Sequence, residues 1–460
     1  NYQDDYYDWD ATYNFRDRDV LVAGPVAREM DADFVRFWED ARSVPAERLT
    51  DVGQALLAQG VPKLPPARFA RPERAERMRA DAADSALVEQ RLVAPALPVG
   101  AVGYISDSPA KHEGDASGHA RASQSMRTLI ESARHEVMLQ TPYLVLSKPA
   151  QQMFRELRAR TDPPRVIVST NSLAATDAFI AYALSYKYKR RYLREFGFNI
   201  YEFKPFPADA PIDVASTGAV LPPLQAPAAA LGTDGGTPGV LGTDGVADAA
   251  DQAPAPRERA RPRRDFGSVR RPPTGYRDPL SREHGALRFG SRGANEPVPL
   301  KRAGVRIGLH AKSLVIDGRV GVIGTHNFDP RGDDYNTESA VVIEDAAFAQ
   351  ALAASIRRDI APANSWVIAR RDRPPVLSGL NYSLGKAFEK LPVFDFWPVR
   401  YATSYEFVPG PQCPQPLPPD APGFRACHRP VGDFPEVDVG LKSLTTRIFT
   451  AFGAGLAPIL

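Results

Sequence analysis

The sequence is poor in cysteine, in net charge and in long apolar runs, and each shortage removes a class of protein. Two cysteines in 460 residues, Cys413 and Cys427, exclude a disulfide-built scaffold and a four-cysteine metal site. Their spacing leaves both one disulfide and two free thiols open. Lysine and arginine number 57 against 55 aspartates and glutamates, a net charge of +2. That excludes a histone-like nucleic-acid binder, which needs a strong positive field. No apolar run reaches the roughly 20 residues of a membrane-spanning helix. No secretory leader is visible, but the chain opens on Asn1 inside a segment that reads as structured, so this says nothing about targeting.

Proline is in excess. The 44 prolines are about twice the average usage of roughly 5 %. They concentrate between residues 207 and 300, a tract of Ala, Pro, Gly, Asp and Arg in which L-G-T-D-G occurs at 231 and again at 241. Its second part turns basic, with Arg257, Arg259, Arg261, Arg263, Arg264, Arg270 and Arg271. Such composition buries too little apolar surface to offset chain entropy, so a disordered insertion is expected. The arginines read either as a contact for anionic lipid head groups or as a solvated linker. A second proline-rich stretch, 409–422, reads as an extended connection.

Elsewhere short apolar runs alternate with helical periodicity. Strands are expected at 19–23, 137–140, 165–169, 199–203, 305–309, 313–316, 320–323 and 340–343. Helices are expected at 31–40, with Phe34, Phe37 and Trp38 on one face, and at 177–194. The fold class is α/β, layered sheets with flanking helices.

The chemistry concentrates after the insertion. His310, Lys312 and Asp317 stand in the spacing H-x-K-x4-D, followed by Thr325, His326 and Asn327 in G-T-H-N and by Glu338 in N-T-E. On a strand, residues two apart share a face, so His310 and Lys312 project together. An ammonium neutralises phosphoryl oxygens, and an imidazole attacks phosphorus or protonates a leaving oxygen. Asp317 suits an orienting role more than a chemical one. Thr325 and Asn327 would complete the shell, with Glu338 fixing an imidazole tautomer. His326 alternates with its neighbours and reads as structural.

With these residues the sequence resembles the phospholipase D superfamily, whose signature is the HKD motif, and within it the bacterial cardiolipin synthases and their phospholipase D-like relatives. Further stretches carry the likeness: F-R-D-R-D-V from Phe15, Q-T-P-Y from Gln140 to Tyr143, T-N-S-L-A-A-T-D from Thr170 to Asp177, and N-F-D-P-R from Asn327 to Arg331. The resemblance implies a pseudo-two-fold pair of mixed β-sheet halves, one HKD motif in each, with the active site between them. It implies a phosphatidyltransferase making cardiolipin from phosphatidylglycerol through a phosphohistidine, with no metal and no organic cofactor. His310 would then be the acid/base and the other histidine the nucleophile. The alternatives are a phospholipase D that hydrolyses head groups, a superfamily nuclease, and an inactive fragment.

Only one HKD motif is present. In the same register Asn1 matches Asn327 and Asp17 matches Glu338, so the first His and Lys are expected upstream of Asn1; the other reading is a single-motif protein that dimerises to build the site, as some superfamily nucleases do. The expected plan is a remainder of the first half at 1–121, a second half at 122–372 interrupted at about 207–300, and a C-terminal extension at 373–460. Partners implied are phospholipids and a membrane surface, not nucleic acid. The full-length protein would be a monomeric pseudo-dimer, peripheral on the bacterial inner membrane, with the periplasmic side one option.

Supporting contacts to substrate are expected from Asn1, Asp17, Tyr143, Asn171 and Thr325, with Thr176 or Asp177 as the cap of the following helix. His112, His119, His135, His284 and His428 lack metal-ligand spacing and read as surface residues. Residues 182–192 mix Tyr with Lys and Arg, which suits a membrane interface or an ordinary amphipathic surface helix. The uncharged stretch 448–460 and the aromatic stretch 391–397 read as core or as lipid-contacting surface.

Overall fold

The computed structural model describes residues 3–113 (except 62, 64, 65, 67 and 70), 121–209, 297–371, 401–440 and 444. The insertion from 210 to 296, His119, His284, Asn1 and the stretches 391–397 and 448–460 lie outside the described residues.

The strands are β1 (Tyr13–Arg16), β2 (Ala101–Ser106), β3 (Glu136–Gln140), β4 (Arg165–Asn171), β5 (Asn199–Phe203), β6 (Arg306–Leu309), β7 (Ser313–Ile316), β8 (Val320–Gly324), β9 (Ser339–Glu344), β10 (Ser365–Arg370), β11 (Ala402–Phe407) and β12 (His428–Gly432). Ten of them form one sheet in the order β12-β11-β10-β5-β4-β3-β7-β8-β9-β2. Its centre, β3, β4 and β5, is parallel, and the strands on either side run antiparallel. The remaining two, β1 and β6, make a parallel pair. The α/β expectation holds.

The helices used below are α1 (Val26–Trp38), α2 (Thr50–Gln59), α3 (Pro72–Ala83), α4 (Ser85–Val88), α5 (Ala122–Glu131), α6 (Lys148–Arg158), α7 (Phe179–Arg194), α8 (Pro330–Asp334) and α9 (Ala346–Asp359). The central strands read as continuous apolar runs because helices cover both faces. Val137 and Leu139 pack with Phe154, Leu157, Tyr192 and Phe196 on one face. Met138, Ile167 and Val315 pack with Leu352 and Ile356 of α9 on the other. Each such side chain taken fully out of water contributes about 1.5–3 kcal/mol. Ser147 caps α6 and Asp345 caps α9, each accepting a backbone N–H, as helix starts require.

Several expectations are corrected. Residues 19–23 form no strand; the ladder partner of β6 is the segment just before them. The helix expected at 31–40 begins at Val26, and Phe34 and Trp38 stack on each other in solvent, 61 % and 73 % exposed. Helix α7 is more buried than a surface helix would be. Tyr182, Lys189, Arg190 and Tyr192 are buried, and Lys189 Nζ sits 2.6 Å from the buried Glu202 carboxylate on β5. Its charges read as a solvated face, but β5 supplies the partner of Lys189. His428 is buried and lies 2.9 Å from the Phe424 carbonyl, not on the surface. Within the expected extension, β11 and β12 add to one edge of the sheet, and Cys413 and Cys427 are disulfide-bonded.

Candidate phosphodiester-transfer site

The parallel pair β1–β6 builds the site. Its register sets Arg16 opposite Leu309, so the next residues, Asp17 and His310, come side by side. The close approach needs Gly308, where a Cβ would collide with the Tyr13 hydroxyl. The His310 N–H donates to the Arg16 carbonyl at 2.8 Å. Asn171 clamps the same strand end: its Nδ2 donates to the Leu309 carbonyl and its Oδ1 accepts the Leu309 N–H, both at 2.7 Å. The amide expected to touch a head group is therefore spent on backbone, because it faces an unpaired strand end.

His310 Nδ1 lies 2.8 Å from Asp17 Oδ2. Burial would raise the Asp17 pKa, but the His310 hydrogen bond and the charges of His310 and Lys312 hold it below the usual range. An ionised carboxylate only accepts, so the proton of a neutral His310 sits on Nδ1 and Nε2 carries the lone pair. Lys312 Nζ lies over the ring, 3.0 Å from Nδ1 and 3.1 Å from Nε2, and donates to the His310 carbonyl at 2.6 Å. Burial pulls the Lys312 pKa down to about 8, against the charges of Asp17, Glu338, Asp177 and Asp329. Tyr6 and Phe15 flank the imidazole, with ring centroids 5.3 and 5.0 Å away.

The carboxylate on the His310 imidazole is thus Asp17. Glu338 is buried and accepts from the Thr325 hydroxyl, which in turn accepts the Ser339 N–H at 3.0 Å. Asn327 Oδ1 is buried without a hydrogen-bond partner among the described residues. Asp317 sits at the β7–β8 turn, where its carboxylate accepts the backbone N–H groups of Arg134, His135 and Glu136, each at 2.8 Å. That is a turn-holding role. The Tyr143 hydroxyl donates to Asp177 at 2.9 Å, and burial next to that carboxylate pushes its pKa far up. Asp177 therefore does not cap α7, while the Thr176 hydroxyl accepts the Ala178 N–H at 3.1 Å. His326 is structural: its Nδ1 accepts the Phe328 N–H at 2.7 Å, and Asp333 lies 3.0 Å from its Nε2.

Sequence reasoning missed Asp359. Arg16 Nε donates to it at 3.0 Å, Arg18 at 3.2 Å and Gln140 Nε2 at 2.9 Å. It also missed the ring contacts of Tyr6 and of Phe15, the latter read only as the start of a family-like stretch, and Asp107 and Lys111, whose i,i+4 spacing reads as a helix-surface pair. Among the described residues no group of three or more His, Cys, Asp or Glu is placed to hold a metal ion. Nor is any helix there long and apolar enough to cross a membrane.

Residues 280–360 match the family described as cardiolipin synthase, PLD-like domain. That span is similar to a phospholipase D-like domain. The HKD residues, β6 to β9 and α9 all fall within the matched span. Cardiolipin synthase C of Escherichia coli K12 is 24 % identical over 339 residues, which is 73 % of this chain and 53 % of that protein. The chain therefore spans about half the length of this curated relative. Among solved structures, phosphatidylserine synthase of Haemophilus influenzae Rd KW20 is similar at 13 % identity, covering 80 % of this chain and 60 % of that one, with a TM-score of 0.33. The phospholipase D family member Nuc of Salmonella typhimurium is 12 % identical, covering 56 % and 91 %, with a TM-score of 0.25.

Proposed function

We propose that the phospholipase D-like domain contributes one half of a phospholipid-modifying site, and that the reaction is phosphatidyl transfer to an alcohol. The observation that carries this is the His310 imidazole, held by Asp17 on Nδ1, with the Lys312 ammonium over the ring at 3.0 and 3.1 Å from its two nitrogens. Lys312 neutralises the phosphoryl oxygens. His310 protonates the leaving alcohol and later takes the proton of the incoming one. The first step also needs an imidazole that forms the N–P bond as the alcohol oxygen departs. That group comes from residues outside this chain or from a second copy of it. With phosphatidylglycerol as donor and acceptor, the products are cardiolipin and glycerol; with water as acceptor, phosphatidic acid and glycerol. The likeness to cardiolipin synthase C favours the first. The two-half division at 1–121 and 122–372, action at a bacterial membrane surface, and supporting roles for Asn1, Tyr143, Thr325, Asn327 and Glu338 belong to the same proposal.

The test is incubation of the full-length protein with phosphatidylglycerol vesicles. Cardiolipin is expected. Phosphatidic acid alone would make the enzyme a hydrolase. Cleavage of a single-stranded oligonucleotide with the vesicles untouched would replace the lipid reading by the nuclease one.

A further inference from the structure

Asp107 and Lys111 belong to none of the motifs, yet they are enclosed beside them. Lys111 Nζ is 2.7 Å from Asp107 Oδ2, and the two side chains are 1 % and 0 % exposed. The ammonium spends its other two protons on the carbonyls of Gly332 and Asn336, both at 2.6 Å, so every donor is used. Asp107 Oδ1 accepts the Ala122 N–H at the start of α5, at 2.8 Å. Its Oδ2 accepts the Glu338 N–H at 2.9 Å, and its own N–H donates to the Glu338 carbonyl at 2.9 Å. Both backbone groups of Glu338 thus end on Asp107, and Lys111 ties the preceding residues 332–336 to the same point.

Stabilisation alone does not account for such a pair, because well-packed apolar residues of similar volume commonly serve stability as well or better. What an ion pair with named hydrogen bonds adds is a fixed position. The residue it fixes is Glu338, whose carboxylate accepts from the Thr325 hydroxyl; the adjoining Gly324 N–H donates to the Lys312 carbonyl at 3.1 Å, and the Glu338 charge is one of those that act on the Lys312 ammonium. The others are Asp17, Asp177 and Asp329, with His310 against the ammonium itself.

We propose that Asp107 and Lys111 are positioning residues of the transfer site: they lock the backbone of Glu338 and so hold its carboxylate at the Thr325 hydroxyl, where its charge acts on the Lys312 ammonium. The proposal rests on the phosphodiester reading for its meaning, but its test does not. In the full chain labelled with 13C-lysine, the Lys312 side-chain signal is assigned by its loss in Lys312→Arg and followed against pH. The wild-type midpoint is expected at about 8. Glu338→Gln should lower it by about half a unit or more, and Lys111→Met should lower it comparably. In the Glu338→Gln background, Lys111→Met should shift it no further. An unmoved midpoint in Lys111→Met, or a full additional shift in the double variant, would overturn the proposal. If Lys111→Met does not fold, Asp107→Asn is read by the same criteria. Lack of lipid turnover by the wild type would sink the proposed function and leave this test intact. With turnover present, Lys111→Met should lower kcat with little change in KM, and move the alkaline limb of the pH profile toward lower pH.

Discussion

Arg16, Asp17 and Arg18 divide one short run of backbone between two charged clusters, and the clusters differ in kind. Arg16 and Arg18 reach the carboxylate of Asp359, which is 1 % exposed and also bonded by Gln140. There every charge has a fixed partner and no proton has cause to move. Asp17 reaches His310, where the two side chains are 15 % and 19 % exposed and a lysine stands over the ring. There an acid, a base and an ammonium of lowered pKa share a few ångströms of half-open space. Complete pairing in the interior gives rigidity; crowding at an accessible edge gives chemistry. The first cluster anchors residues 16–18 to α9 and β3, and so holds the second in place.

The comparison can be broken at either end. The largest effect is expected from His310→Asn, which should lower transfer by at least roughly 10³-fold with an unchanged urea midpoint. A covalent adduct still trapped in that variant would keep His310 as the acid/base, and loss of the adduct with lipid binding retained would make it the nucleophile. Asp359→Asn should act in reverse, costing about 3 kcal/mol of stability by taking from Arg18 its carboxylate partner and from Arg16 the more buried of its two, as read by urea unfolding. Its activity at low temperature, where the fold persists, should fall less than that of His310→Asn. Equal losses in both readouts would erase the distinction between the clusters. Asp17→Asn should be milder, lowering the rate by about 10²-fold with little change in stability.

The smallest effect, and the sharpest, is in pH. Because the Lys312 pKa is lowered to about 8 from 10.5, the unfolded chain binds more protons than the folded one between those values. The Lys312 contribution to stability therefore rises as pH climbs through that window, while transfer, which needs the ammonium, falls. Subtracting the unfolding profile of Lys312→Met from that of the wild type isolates the term. A difference of the opposite sign would mean that the ammonium gains more from its carboxylates than burial costs it.

Much of the sheet was legible because its central strands are short, continuous apolar runs bounded by turn residues. The spacing of His310 and Lys312 was legible because H-x-K needs only strand periodicity to bring two side chains together. Helix α7 was misread because Lys189 and Arg190 look solvated until β5 brings Glu202 beneath Lys189. Asp17 was read only as a supporting contact because it lies 293 positions away from His310 in sequence.

The sequence by itself determined the α/β layering and the chemical kinds present: an imidazole, an ammonium and carboxylates in a phosphodiester-handling pattern. Those follow from local periodicity and side-chain identity. Only the tertiary structure decided which carboxylate meets the imidazole, which asparagine is spent on backbone, and which ion pairs are sealed inside. Each is a contact between distant segments, and its partner is chosen by strand register and burial, which no local window of sequence contains.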